Sequence, residues 1–293
     1  MSQVIGVLEQ GLIYAILALG VYITFRILDF PDMSVDATFP MGAAVTALMI
    51  SNGVHPLLTL PASLLCGAVA GALTGLIHVK LHIRDLLSGI IMMTGLYSVN
   101  LHIAGKANVP LFSFDTLFKN PWVSSLPEPV IPYAPVLILM VLTLICKFAM
   151  DAFLSTKAGY LLKATGDNPT VVASLAKDSG RVKILGLSIA NALVSLAGCI
   201  MCQYQRYFDV SMGTGTLVLA VASVILGTQL LRGMRFLSVT SAVIVGSILY
   251  KACVALALNM GLSPFDLKLI TALLLLVIMV LGGGQRKKVY HRD

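Results

Sequence analysis

Apolar runs of about twenty residues recur along the whole chain, and no other feature limits its fold as strongly. A helix needs about 20 such residues to cross a hydrocarbon core of about 30 Å, and only helices or closed barrels satisfy their backbone groups there. The runs fall at roughly 5–25, 37–52, 55–78, 86–104, 131–150, 184–203, 214–231, 236–260 and 264–284. The short alternating segments of a membrane β-barrel are missing. Charged residues make up 11% of the chain, against roughly 25% in soluble domains. The expectation is an all-α polytopic transmembrane bundle of about nine spans (eight to ten), forming one membrane domain over 1–293. The first run, Gly6 to Thr24, lacks a basic leader and a small-residue cleavage site and reads as a retained span.

Two runs are short and interrupted. One opens Asp36-Ala-Thr38-Phe39-Pro40-Met-Gly42, the other Gly213-Thr-Gly215-Thr. Broken spans are where transporters place unwound backbone around a cavity. The similar openings in the two halves hint at an internal repeat. Small residues also recur at helical spacing: Gly67, Gly71 and Gly75, then Gly186, Ala190 and Ala197. Such stripes let helices approach closely, within a subunit or between subunits.

One segment behaves like soluble protein, the polar stretch from about 155 to 183. Asn168-Pro169 reads as a helix start, because an Asn side chain accepts from first-turn amides and proline suits the first helical position. Gly180 reads as the stop. Between them the expectation is a short amphipathic helix outside the membrane. The loop from about 105 to 130, rich in Phe and holding Trp122, suits a headgroup-level surface or a docking platform for an external protein.

The net charge of +7 reads as topology rather than nucleic-acid binding. Nine spans put Arg26, Lys80, Arg84, Lys147, Lys157, Lys163, Lys177, Arg181, Lys183, Arg232, Arg235, Arg286, Lys287, Lys288 and Arg292 on one face. Only Lys106, Lys119 and Arg206 fall on the other. Basic residues collect on the cytoplasmic side, so the N-terminus is expected outside, with the C-terminus and the 155–183 segment in the cytoplasm.

No catalytic or metal constellation is present. His55, His78, His82, His102 and His291 lack ligand spacing, and Cys199 and Cys202 stand without a second pair, so the five cysteines read as small packers. A phosphate-binding G-x-x-x-x-G-K-[ST] loop is also missing, so any ATP-driven step needs another subunit. Glu9, Lys251, Asp266 and Lys268 are the few ionisable groups within or beside spans, fewer carboxylates than an ion-coupled carrier needs. On the fourth run, Met92, Met93, Thr94, Tyr97 and Ser98 combine adaptable thioethers and hydroxyls that could line a mildly polar pathway or simply pack. The residues alone leave open a transporter subunit, a stand-alone channel or secondary carrier, and a membrane enzyme.

Several of these stretches together resemble a known family. Gly159-Tyr-Leu-Leu-Lys-Ala-Thr-Gly166-Asp167-Asn168-Pro169-x-x-x-Ala173, the run Lys183 to Gly198 containing Asn191, Met212-Gly213-Thr-Gly215 with Ala222 to Gly227, and Asp36 to Gly42 resemble the branched-chain amino acid and ribose type permeases of bacterial ABC importers. Within that family the chain looks most similar to the tryptophan/tyrosine permeases. The resemblance implies a homodimer, or a pair of similar subunits, in the bacterial cytoplasmic (inner) membrane. An ATPase dimer binding ATP and magnesium would sit below and an extracytoplasmic substrate-binding protein above, with no cofactor in this chain. It implies ATPase-coupling roles for Gly166, Asp167, Asn168, Pro169 and Ala173. Asp36, Thr38, Phe39, Met92, Met93, Thr94 and Tyr97 become candidates for the translocation path. Nine spans are fewer than sugar-type relatives carry, so pore details transfer poorly. The expected cargo is an aromatic amino acid, with a nucleoside or sugar as the alternative.

Overall fold

The protein is described by a computed structural model over residues 2–125, 127–128, 130–167, 178–231, 238–260, 269, 271–273 and 276–277. The chain folds as α1 (Ser2–Val21), continued by a π-helical turn, Tyr22–Ile27. Then follow α2 (Val35–Ser51), α3 (Thr59–Leu81), α4 (Asp85–Ala104), β1 (Asn108–Pro110), the short α5 (Pro121–Ser124), α6 (Ala134–Leu154), α7 (Lys157–Asp167), α8 (Ser179–Gln205), β2 (Tyr207–Asp209), α9 (Thr216–Leu230) and α10 (Val239–Asn259). With their flanking turns, α1, α3, α4, α6, α8 and α10 are long and apolar enough to cross a membrane, while α2 and α9 are apolar but shorter. Eight of the nine expected spans are thus seen as helices. Most of the ninth, 264–284, falls outside the described residues.

Helix α8 is the post around which the rest is assembled. Glycines let its neighbours approach it backbone to backbone. A Cβ on Gly67, Gly71 or Gly75 of α3 would lie 2.3 Å from the Asn191 carbonyl oxygen, 2.1 Å from that of Leu187 and 2.9 Å from the Ile184 Cα. Gly20 of α1 faces the Ala190 carbonyl, and Gly42 of α2 faces that of Ser195. The G-x-x-x-G stripe is therefore used inside the subunit. Around it, Ile13, Ile16, Leu17, Ile23, Phe39, Leu187, Val194 and Ile200 form the core. At one end of the bundle β1 pairs antiparallel with β2, Val109 opposite Phe208. At the other end lies α7.

The polar segment differs from its sequence reading. It holds a helix that the sequence reading did not place, Lys157–Asp167. Gly180 does not stop a helix: it sits in the first turn of α8, where the Asp178 side chain accepts from the Gly180 and Arg181 amides at 2.9 and 3.4 Å. An aspartate before a helical run is itself a start signal, and it outweighs the glycine because its carboxylate satisfies two amides that would otherwise lack partners. The expected helix start at Asn168-Pro169, and Ala173 after it, lie outside the described residues.

Candidate translocation site

The two interrupted runs meet inside the protein. α2 has 17 residues and α9 has 15, about 25 and 22 Å at 1.5 Å per residue, so neither crosses a core of about 30 Å alone. Before α2 the chain leaves the π-helical turn through Asp29, at φ 51°, and runs to a helix start at Ser34. Before α9 it turns through Gly215, at φ 85°, a conformation that glycine adopts without steric cost.

Asp36, in the first turn of α2, caps α9 from outside that helix. Its carboxylate accepts from the Gly215 amide at 3.0 Å, the Leu217 amide at 2.9 Å and the Thr216 hydroxyl at 3.1 Å. These are the unpartnered donors of a helix start, where negative charge is favoured by the helix dipole. Pro40 completes the crossing. Having no N–H, it leaves the Asp36 carbonyl without its usual donor, and Gly213 passes so close that a Cβ there would lie 1.9 Å from that oxygen.

One turn earlier lies a buried carboxylate that sequence reasoning did not single out. Asp32 is fully buried. Its Oδ1 accepts from the Ser34 amide at 2.9 Å and hydroxyl at 2.6 Å, and its Oδ2 from the Asn191 side-chain amide at 2.7 Å. Asn191 is twelve residues from the start of α8 and fourteen from its end, so this network sits at the helix's midpoint. The signal was available: Asn191 is a polar residue in the middle of an apolar span, where such groups are expensive to bury. Asn100 of α4 donates to the Ala37 carbonyl at 2.9 Å and ties α4 to the same junction.

The sequence-nominated path residues separate into two groups. Thr38 and Phe39 are buried in the subunit core. Thr38 donates to the Ser34 carbonyl at 3.0 Å, and the Phe39 ring stacks on Tyr14 at 6.3 Å. Asp36 is half-buried at the crossing, and Met92 packs with Ala37 and Met41. Met93 is half-buried, while Thr94 and Tyr97 lie exposed on α4 with Gly95 and Ser98. Of the ionisable span residues, Glu9 accepts from the Tyr204 hydroxyl at 2.7 Å, and the Lys251 ammonium lies 4.0 Å from the centre of the Tyr14 ring. Asp266 and Lys268 lie outside the described residues.

Of the coupling candidates, Gly166 and Asp167 end α7. A Cβ on Gly166 would lie 1.6 Å from the Ile27 carbonyl oxygen, so this helix leans directly on the π-helical end of α1. Gly186 is flanked by Leu162 of α7 and by Leu28. The residues that follow α7 therefore leave from a helix seated against the segment that leads to Asp32 and Asp36.

Known proteins resemble this arrangement at three levels. Residues 3–280 match the family described as branched-chain amino acid transport system / permease component. A "Tyrosine transport system permease protein" of Clostridioides difficile (strain R20291) is 45% identical over 275 residues, covering 94% of this chain and 90% of that one. A "Ribose import permease protein" of Escherichia coli (strain K12) is 25% identical, over 79% of this chain and 71% of its own. The solved structure titled "PsaBC from Streptococcus pneumoniae in complex with Fab" shares the fold, with a TM-score of 0.52 at 13% identity over 93% of this chain and 89% of that one. The chain is an integral membrane protein, a transport subunit rather than a catalytic one, and it belongs to the branched-chain amino acid transport system permease family of ABC transporters.

Proposed function

We propose that this chain is the membrane subunit of an ATP-driven importer of an aromatic amino acid, tyrosine first among them. The observation that carries the reading is the 45% identity, over nearly the whole chain, to a tyrosine transport permease. The geometry supports it. Two short helices start inside the protein at one junction, where Asp32 and Asp36 hold the donors of their first turns, the broken-span architecture that transporters place beside a solute path. α4 turns Thr94 and Tyr97 away from its own subunit, where a second copy completes the path along the face that the Asp36–Phe39 crossing supports from behind.

In this reading the whole chain is one permease domain in the cytoplasmic membrane, its N-terminus outside and its C-terminus inside. Two copies pair, lipid surrounds them, and nucleic acid plays no part. A binding protein delivers cargo at the β1–β2 end. An ATPase dimer, which binds ATP and magnesium, engages the segment after α7 through Gly166, Asp167, Asn168, Pro169 and Ala173. Closure of the ATPases moves α7, and through Gly166 and Ile27 that movement reaches the Asp32 and Asp36 junction, so the cavity opens to the other side.

The test is reconstitution with the cognate ATPase and binding protein. ATP-dependent accumulation of L-[3H]tyrosine, competed by tryptophan and not by ribose, is expected. Competition by ribose or a nucleoside instead would replace the cargo, and uptake without any ATPase would replace the mechanism with a channel or secondary carrier. Exchanging Asn168 and Pro169 for alanines is expected to lower uptake while membrane insertion stays normal.

A further inference from the structure

The ends of α6, α7 and α10 and the π-helical turn line an open pocket of about 240 Å³ that the transport reading does not use. Its chemistry is asymmetric. On one wall the Lys163 ammonium has little to hold it. It reaches the Leu154 carbonyl only at 3.4 Å and lies 5.5 Å from the centre of the Tyr160 ring, and among the described residues no carboxylate pairs with it. A lysine ammonium has three donors, so most of this one's capacity is free. On another wall Asp151 accepts from Lys147 at 2.9 Å and from the Thr240 hydroxyl at 2.6 Å. A carboxylate has about four acceptor sites, so it keeps room for another donor. Tyr22 and Leu154, both buried, supply an apolar floor.

A half-buried cation with no carboxylate partner among the described residues, a carboxylate with spare acceptors and an aromatic-apolar floor match the carboxylate, ammonium and side chain of one aromatic amino acid. The volume falls below the roughly 300–1,000 Å³ of sites for drug-sized ligands, which suits a single small solute. We infer that this cavity binds a free aromatic amino acid from the side on which α7 lies, and that occupancy slows transport. The inference rests on the proposed cargo and topology. A ligand held between Lys163 of α7 and Asp151 of α6 ties α7 to the membrane helices. It thereby restrains the movement that passes through Gly166 to Ile27. Accumulated cargo would then act as a brake on its own import.

Two measurements test this. First, equilibrium binding of L-[3H]tyrosine to the purified permease without binding protein is expected to be saturable. It should weaken about ten-fold in Lys163→Met, the scale of one lost charge-assisted hydrogen bond. It should also weaken in Val239→Phe, which fills the cavity without touching its charges. Second, in proteoliposomes carrying the ATPase, with binding protein outside, tyrosine loaded inside is expected to reduce the initial uptake rate about five-fold, within the ordinary range of coupling between sites. Both variants should lose that reduction. Binding that survives both substitutions, or uptake indifferent to internal tyrosine, overturns the inference and leaves the cargo assignment standing. Lys163-dependent binding of tyrosine by a permease that does not import it keeps the site and removes the cargo assignment.

Discussion

Helices α4 and α8 look alike as sequence, each an apolar run broken by glycines and hydroxyl residues, yet the structure treats them oppositely. About 72% of the most apolar stretch of α8 is buried, against 28% for α4. A Cβ on Gly186 or Gly198 of α8 would lie 2.6 Å from the Leu162 side chain or 1.8 Å from the Phe39 carbonyl oxygen, whereas Gly95 on α4 has nothing within 4 Å of where a Cβ would stand. Asn191 on α8 is saturated within the subunit, and Thr94 and Tyr97 on α4 are turned outward. A glycine in a membrane helix thus carries no meaning of its own. At Gly198 of α8 it gives closeness between helices of one chain, as Gly89 of α4 also does against Met33, and at Gly95 of α4 it leaves a surface for whatever lies beyond the chain.

The sharpest way to break this comparison is a matched pair of substitutions. Gly198→Val would push a side chain into the Phe39 carbonyl, only 1.8 Å from the new Cβ, and a loss beyond about 4 kcal/mol is expected, leaving no folded protein in detergent. Gly95→Val should change stability by less than about 0.5 kcal/mol. Equal melting temperatures for the two purified variants would end the contrast. Next in size, Asn191→Leu strands the buried Asp32 carboxylate with one donor group fewer, and about 3 kcal/mol is expected from a denaturant titration of the purified protein. Asp36→Ala removes the cap of α9 and should cost about 1–2 kcal/mol, with faster amide exchange at Gly215 and Leu217 as its local signature. Tyr97→Ala sharpens the other side: uptake should fall about ten-fold, the scale of one aromatic contact, while the melting temperature stays unchanged.

The smallest effect belongs to the β1–β2 end. Hydrogen bonds from the Ser211 side chain and amide, and from Asn108, hold the Asp209 carboxyl below the usual carboxylate value. A depressed carboxylate stabilises the fold above its unfolded pKa of about 3.9 and loses that contribution as pH falls through the lower folded value. Amide exchange at Val210 and Leu111, compared at neutral pH and near pH 3, should quicken at the acid end after correction for intrinsic rates.

Much of the architecture was legible before any coordinates. Run lengths located eight helices to within a few residues, because an apolar run inside a membrane must satisfy its own backbone as helix. The interruptions at Asp36–Gly42 and Gly213–Gly215 were legible as well, since proline and glycine break helices locally. The site was only half visible. Asp36 was nominated, but as a path residue, and no local signal says that its carboxylate closes the first turn of a helix some 180 residues away. Asp32 and Asn191 went unnoticed as a pair because their bond links positions 159 apart. The β1–β2 pairing was missed for the same reason: two three-residue strands carry no periodicity, and Asn108 meets Asp209 only across the folded chain. Gly180 was misread because a glycine near a helix boundary serves either end.

The sequence by itself determined that this is a helical membrane protein with broken spans, because hydrophobic length and backbone breakers act locally and water or lipid answers them residue by residue. Tertiary structure alone decided which small residues become interior seams and which stay outward, that Asp36 serves α9, and that α7 rests on Ile27 through Gly166. Those outcomes depend on two backbones arriving within van der Waals distance, and which two arrive is decided by the packing of all the helices together.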